Sequence, residues 1–429
     1  MNQARDLVQQ NRGRNVYRRR LIRGLVLAAV ASVPFVASGG ATTSAGASPA
    51  PITIAYITDV TGQAAAENGT SPAAFKARID LQNAEGGVNG HKLVPLVIDD
   101  QTDPTAISTA VQDAISKGAF GIVSNSVLMF LAAKYPQEAG MPVTGAFTDG
   151  PEWGTQPYTN MFASDEGSVD PKYPANTTVD AILKAHGGTV VGYYGYGISP
   201  TSTRAAEGDA QAATHLGLKV GVLNTTVPLG GVDFTTDALV AKEHHVNALV
   251  PSLDSNSNYA LAEALKQAGV KLKAVLFATG YQPDVIHSPA WSALQGDYFD
   301  SLYRPWVLPN AGTEQMQAAM EKYAHFTKSD FPSFGQYEAW AGADLMINGL
   351  ELAGKNPTRA AVIKDLRGLK AYTANGLLAK PINYSTIFGH DLPQQCSWVM
   401  QAEKNGFVPV SSQPICGEDI PGTSTTSSS

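Results

Sequence analysis

A chain of 429 residues is too long for one ordinary core and points to two lobes. With 44% apolar and 16% charged residues, it fits neither a membrane bundle nor a disordered protein. The net charge is −7, and residues 1–24 hold seven Arg against one Asp, so the remainder carries about −13. That argues against nucleic acid or an anionic membrane as partner.

The basic start is followed by the apolar run "LVLAAVASVPFVA" (25–37), 13 residues interrupted by Pro34 and too short to span a bilayer comfortably. Basic region, short apolar core and small residues together read as a secretory signal, with an uncleaved anchor as the competing reading. "RRRLIR" (18–23) has the form of a twin-arginine export signal, with Arg18 and Arg19 as the pair. Cleavage is expected between residues 38 and 50, ahead of or within the linker "TTSAGASPAP" (42–51).

The body then alternates. "ITIAYI" (52–57) reads as a buried strand, and Ser71 with Pro72 as N-cap and first turn of a helix closed by Gly86 and Gly87. "KLVPLVID" (92–99) is the second strand. Asp103 and Pro104 open the next helix, whose apolar stripe is Ile107, Ala110, Val111, Ala114 and Ile115, with Gly118 at its stop. "FGIVSNS" (120–126) is the third strand, followed by a helix to about Ala139 and a fourth strand, "PVTGAF" (142–147).

The rhythm restarts at "TVVGYYGY" (189–196), "KVGVLNTT" (219–226), "ALVPSL" (248–253) and "AVLFAT" (274–279), with "YALAEALKQAG" (259–269) the clearest helix between them. Strand–helix alternation requires parallel sheets with right-handed crossovers. Two such series predict an α/β protein of two doubly wound lobes. Cys396 and Cys416 are expected to form one disulfide if the chain is exported, and two buried thiols if it is not. "GTSTTSSS" (422–429) reads as a disordered tail.

Enzyme signals are weak. "GYYGYG" (192–197) lacks dinucleotide-binding spacing, and neither a P-loop nor a G-x-S-x-G elbow occurs. "EHH" (243–245) reads as a solvated helix end, because adjacent histidines do not share a helix face. No cofactor or metal is expected.

Several stretches together resemble the type I periplasmic solute-binding proteins, specifically the branched-chain amino acid receptor family of ABC importers. They are "NAEGGVNGHKLVPLVIDDQTDP" (83–104), "SNS" (124–126), "GAFTDGPEW" (145–153) and "AEGDAQAATHLGLKV" (206–220), within a match over about 52–410. The resemblance implies a clamshell with a three-segment hinge. Lobe one would hold 52–165 plus 298–378, and lobe two 166–297 plus 379–416. It also implies a monomeric receptor in the periplasm or cell envelope that delivers a small solute to a membrane permease. A ligand-sensing module reporting to a partner protein is the alternative, and an α/β enzyme the remoter one. In the family's single-membrane relatives a lipid-modified Cys follows the signal; here "VASGGA" (36–41) carries Gly39 and Gly40 instead.

Ligands of doubly wound sheets bind beyond the carboxyl ends of the strands. The resemblance places a carboxylate-binding serine among Ser124, Asn125 and Ser126, and a backbone-plus-threonine contact at Phe147 and Thr148. The acid that pairs with an amino-acid ammonium in relatives aligns with Gly280 or Tyr281 in "ATGYQPD" (278–284). Either Glu67 or Asp254 supplies that charge, or the ligand lacks an α-ammonium. Tyr196, Tyr281 and Phe147 would wall the pocket. The missing acid favours an organic acid or amide over an amino acid. Asp165 and Glu166 are placed near the first hinge, and Trp340 in the core of an amphipathic helix.

Overall fold

A computed structural model describes residues 49–146, 150–153, 156–165, 175–387 and 396–421. The segment expected to be an export signal, Phe147, Thr148, Glu166 and residues 422–429 lie outside the described residues.

The first sheet holds β1 (Ile52–Thr58), β2 (Leu93–Asp99), β3 (Gly121–Ser124), β4 (Val143–Gly145) and β5 (Met161–Ala163), all parallel, in the order 2-1-3-4-5. Period-two alternation sends Ile54 and Tyr56 of β1 into one apolar core and Ala55 and Ile57 into another. Pro95 is tolerated because β2 is an edge strand. The turn before β2 is clamped by Asn83, whose side chain accepts from the Leu93 amide (2.8 Å) and donates to the Leu93 carbonyl (2.9 Å). Gly87 has φ +76°, and a Cβ there would lie 2.0 Å from the His91 carbonyl oxygen, so only glycine fits.

The second sheet runs β7 (Lys219–Val227), β6 (Val190–Tyr196), β8 (Ala248–Ser252), β9 (Ala274–Phe277) and β10 (Tyr298–Ser301) in parallel. It then continues antiparallel through β11 (Cys396–Glu403) and β12 (Gly406–Pro409). A short β13 (Ile415–Cys416) pairs with β11, and the Cys396–Cys416 disulfide joins the two. The expected doubly wound parallel architecture is therefore present twice.

The chain returns to the first lobe after β10. Helices Ala311–Tyr323 and Phe334–Leu352 pack against helix Ser71–Ala84, and Phe334–Leu352 also covers β3 and β4. Gly342 permits that approach, since a Cβ there would stand 3.0 Å from the Gly145 Cα. Across the helix pair, Arg78 donates to Asp344 at 3.0 Å and lies over the ring of Trp340, which is buried as expected.

Four expectations shift. Pairing places Tyr298–Ser301 in the second sheet, so the crossing follows Ser301 rather than preceding residue 298. Ile382 pairs with Tyr372 and Tyr384 packs on Phe162, which keeps residues just after 378 with the first lobe. Ser71 opens its helix instead of capping it, and donates to the Asn68 carbonyl. The helix expected after β3 is broken into a 3₁₀ turn at Met129–Leu131 and a short helix Lys134–Glu138, where Pro136 supplies no amide hydrogen. His244 and His245 are exposed at the end of helix Thr235–Glu243.

Candidate functional site

The strand order reverses between β1 and β3 in one sheet and between β6 and β8 in the other. Those switch points are where a doubly wound sheet leaves a crevice. A cavity of about 290 Å³ lies there, walled by both lobes. The first lobe contributes Glu67 and Asn68 after β1, Val127 after β3, and Phe334 and Glu338 from the long helix. The second contributes Tyr196 at the end of β6, Thr201 and Ser202 after it, Asp254 after β8, Thr279 after β9, and Asp300 within β10.

Tyr196 is the last residue of β6, and its hydroxyl donates to Asp254. Asp254 also caps helix Ser255–Gln267, accepting from the amides of Asn256 (2.9 Å) and Ser257 (3.1 Å), and from Ser257 Oγ (2.8 Å). Burial and the adjacent Asp254 charge push the Tyr196 hydroxyl up, so it stays a protonated donor. Ser202 accepts from the Tyr196 amide (2.7 Å) and donates to the Ser252 carbonyl, tying the ends of β6 and β8 together. Burial raises Asp300 to about 6, against hydrogen bonds from Ser397 and the Ser301 amide.

On the first lobe the polar groups are bonded to one another. Asp59 accepts from Asn68 Nδ2 (3.0 Å) and the Val127 amide (3.1 Å). Asn125 donates to Asn68 Oδ1 (3.0 Å) and the Gly335 carbonyl (3.2 Å). Ser126 donates to Asp100 and accepts from the Leu128 amide (3.1 Å), while Ser124 accepts from the Ser126 amide (3.4 Å). Burial raises the Asp59 and Asp100 carboxyls, Asp59 further through the charge of Asp100.

The structure thus brings Glu67, Tyr196 and Asp254 together around the cavity. Ser124, Asn125 and Ser126 sit behind it, and only the next residue, Val127, reaches the wall. Tyr281 lies elsewhere, stacked on Phe331 (5.2 Å) and edge-on to Phe407 (5.0 Å) in the core. Asp165 is buried just after β5. Sequence reading missed Asp300, Glu338 and Thr201. Asp300 lies in a strand, Tyr298–Ser301, whose lobe was misassigned, and Glu338 sits in a helix read as core. Thr201 stands in the first turn of helix Pro200–His215, just beyond the strand that ends at Tyr196. Among the described residues no cluster of His, Cys, Asp and Glu is arranged to hold a metal ion.

Solved structures share this fold. A fatty acid ABC transporter substrate-binding protein from Thermomonospora curvata is 19% identical, with a TM-score of 0.69 over 86% of this chain and 93% of that one. A branched chain amino acid ABC transporter protein from Thermus thermophilus, with bound valine, is 17% identical, with a TM-score of 0.70 over 85% and 96%. An ABC transporter solute binding protein from R. palustris, in complex with benzoate, is 15% identical, with a TM-score of 0.67 over 88% and 99%. A search of curated protein sequences found no match. The family model described as "Periplasmic binding protein" matches residues 51–406, so this chain belongs to the periplasmic binding protein family.

Proposed function

We propose that this protein is an extracytoplasmic receptor that closes two lobes over a small solute and hands it, unchanged, to an ABC permease in the membrane. The observation that carries this reading is the cavity between the strand ends of two doubly wound sheets, lined from both. A solute bridging the lobes contacts more protein in the closed than in the open state, and that difference drives closure. Export through the N-terminal signal and action as a monomer belong to the same proposal. No helix among the described residues is long and apolar enough to cross a membrane.

The test is small-angle scattering with native mass spectrometry of the purified protein against a metabolite panel. The expected result is a retained or added solute that compacts the protein and is recovered intact. Conversion of that solute, or no compaction by any compound, would overturn the proposal.

A further inference from the structure

The apolar core that receives Ala55 and Ile57 of β1 also takes in one side chain from the other lobe. Ile107, Leu128, Met129 and Trp153 belong to that core, and among the described residues every member lies between residues 55 and 163 except Leu229. Leu229 follows β7 of the second lobe. It packs at the same time against the larger apolar cluster that holds its own lobe's Val227 and Phe234, and it lines the cavity. The next residue also meets the first lobe: a Cβ on Gly230 would stand 2.9 Å from Gln63 Cδ, in the loop after β1. A leucine that shares apolar contact with both lobes exposes that surface to water when they part.

The segment that carries Leu229 is anchored at both ends. Val227, the last residue of β7, is buried, and its carbonyl accepts from the Gly197 amide (3.1 Å), which pins the base of the turn beside the end of β6. The Gly231 amide then donates to the Pro228 carbonyl (3.0 Å), closing a four-residue turn. Gly230 at its third position has φ +68°, the left-handed conformation that a type II turn reserves for glycine. On the exit side Phe234 is buried, and Asp233 accepts from the Thr235 amide (3.1 Å) at the start of helix Thr235–Glu243. Val232 in the same segment is 64% exposed. Of the two aliphatic side chains between the anchors, Val232 faces water and Leu229 faces the first lobe.

We propose that the turn Pro228–Gly231 is a latch between the lobes. Leu229 docks on the first lobe when the two meet, and it stabilises the closed form before any solute enters. The proposal rests on the receptor reading above, since a latch needs lobes that move. Its consequence is a closed population in the ligand-free protein, so that solute affinity is set in part by a contact between protein and protein. Leu229 also stands in the cavity wall together with Ala64 and Val127 of the first lobe, which places the latch at the solute's edge.

Pulsed dipolar resonance measures this directly, with nitroxide labels on Leu131→Cys and Asn256→Cys, exposed positions beyond the strand ends of the first and second lobes. The protein is stripped of solute by unfolding in urea, dialysis and refolding, and no ligand is added. The unaltered latch should give a closed population beside an open one. Leu229→Ala should lower the closed-to-open ratio by about tenfold, equal to about 1.4 kcal/mol. Leu229→Asp, which sets a charge against the first lobe's core, should abolish the closed form, and small-angle scattering should show the matching expansion. Val232→Asp, in the same turn but in water, should leave the distances unchanged. Unchanged melting temperatures would show that both lobes of each variant are folded. The proposal is overturned if Leu229→Ala and Leu229→Asp keep the original distances, if Val232→Asp opens the protein as far as Leu229→Asp, or if the parent protein has no closed population. Solute-driven compaction alongside any of those results would sink the latch and leave the receptor standing.

Discussion

Asp300 offers the sharpest test of the electrostatics of this cleft. The residue is half-buried, yet its Oδ1 is wholly occluded, and burial lifts its carboxyl from 3.8 to about 6. A carboxyl with a raised folded pKa binds more protons in the folded than in the unfolded state, so stability falls as pH rises from about 3.9 through about 6. The lift of about two units corresponds to at most about 3 kcal/mol, fully expressed above that window. Asp300→Asn keeps the shape and removes the charge. The variant should therefore gain on the native protein by about 2 kcal/mol between about pH 4.5 and about pH 7.5.

Asp180 and Asp209, also raised by burial, are present in both proteins and contribute to both curves. The assay is thermal melting and urea unfolding of both proteins across that range, without ligand. At about 2–4 °C per kcal/mol for a cooperative unit of 150–250 residues, the gap should widen by about 4–8 °C. A gap that stays constant with pH, or a variant that is less stable at neutral pH, would refute the assignment of Asp300 as a buried acid held at a cost.

Other substitutions probe the scaffold. Arg78→Met leaves Asp344 buried beside Trp340 without its cation and should cost about 3–5 kcal/mol in urea unfolding, while the double change with Asp344→Leu should recover most of that. Gly342→Ala brings a Cβ to 2.9 Å from Val123 Cγ1 and 3.0 Å from the Gly145 Cα, and should lower stability by about 1–3 kcal/mol, read by calorimetric melting. Reduction of Cys396–Cys416, whose partners are 20 residues apart, should cost about 3 kcal/mol, seen as a lower melting temperature with dithiothreitol. Tyr196→Phe removes a buried donor to the capping Asp254 and should lower stability by about 1–3 kcal/mol, read by thermal melting; an unchanged melting temperature would show that this hydroxyl does not support the cap.

Much of the first lobe was legible because its signals are local. The alternation in "ITIAYI", the Asn83 turn with its glycines and the apolar stripe from Ile107 to Ala114 each act within a few residues. The strand Met161–Ala163 escaped notice because three residues carry no period. Residues 298–301 were given to the wrong lobe because a strand shows its own hydrophobicity but not its neighbour. Tyr196 and Asp254 were legible as cleft residues because they sit at strand ends, and both line the cavity. Ser124, Asn125 and Ser126 were read as ligand donors, since nothing near them in sequence shows that Ser126 donates to Asp100 and Asn125 to Asn68 and Gly335.

Short-range chemistry therefore determined from the sequence alone that this chain builds two parallel α/β lobes with loops at the carboxyl ends of their strands. Only the tertiary structure decided that Glu67, Asp254, Asp300 and Glu338 face one cavity while the hydroxyls and amides behind Val127 turn inward. The physical reason is that a strand's periodicity needs only its neighbours, whereas the charge of a cleft is a sum over residues that meet only after the chain has crossed between the lobes and folded back.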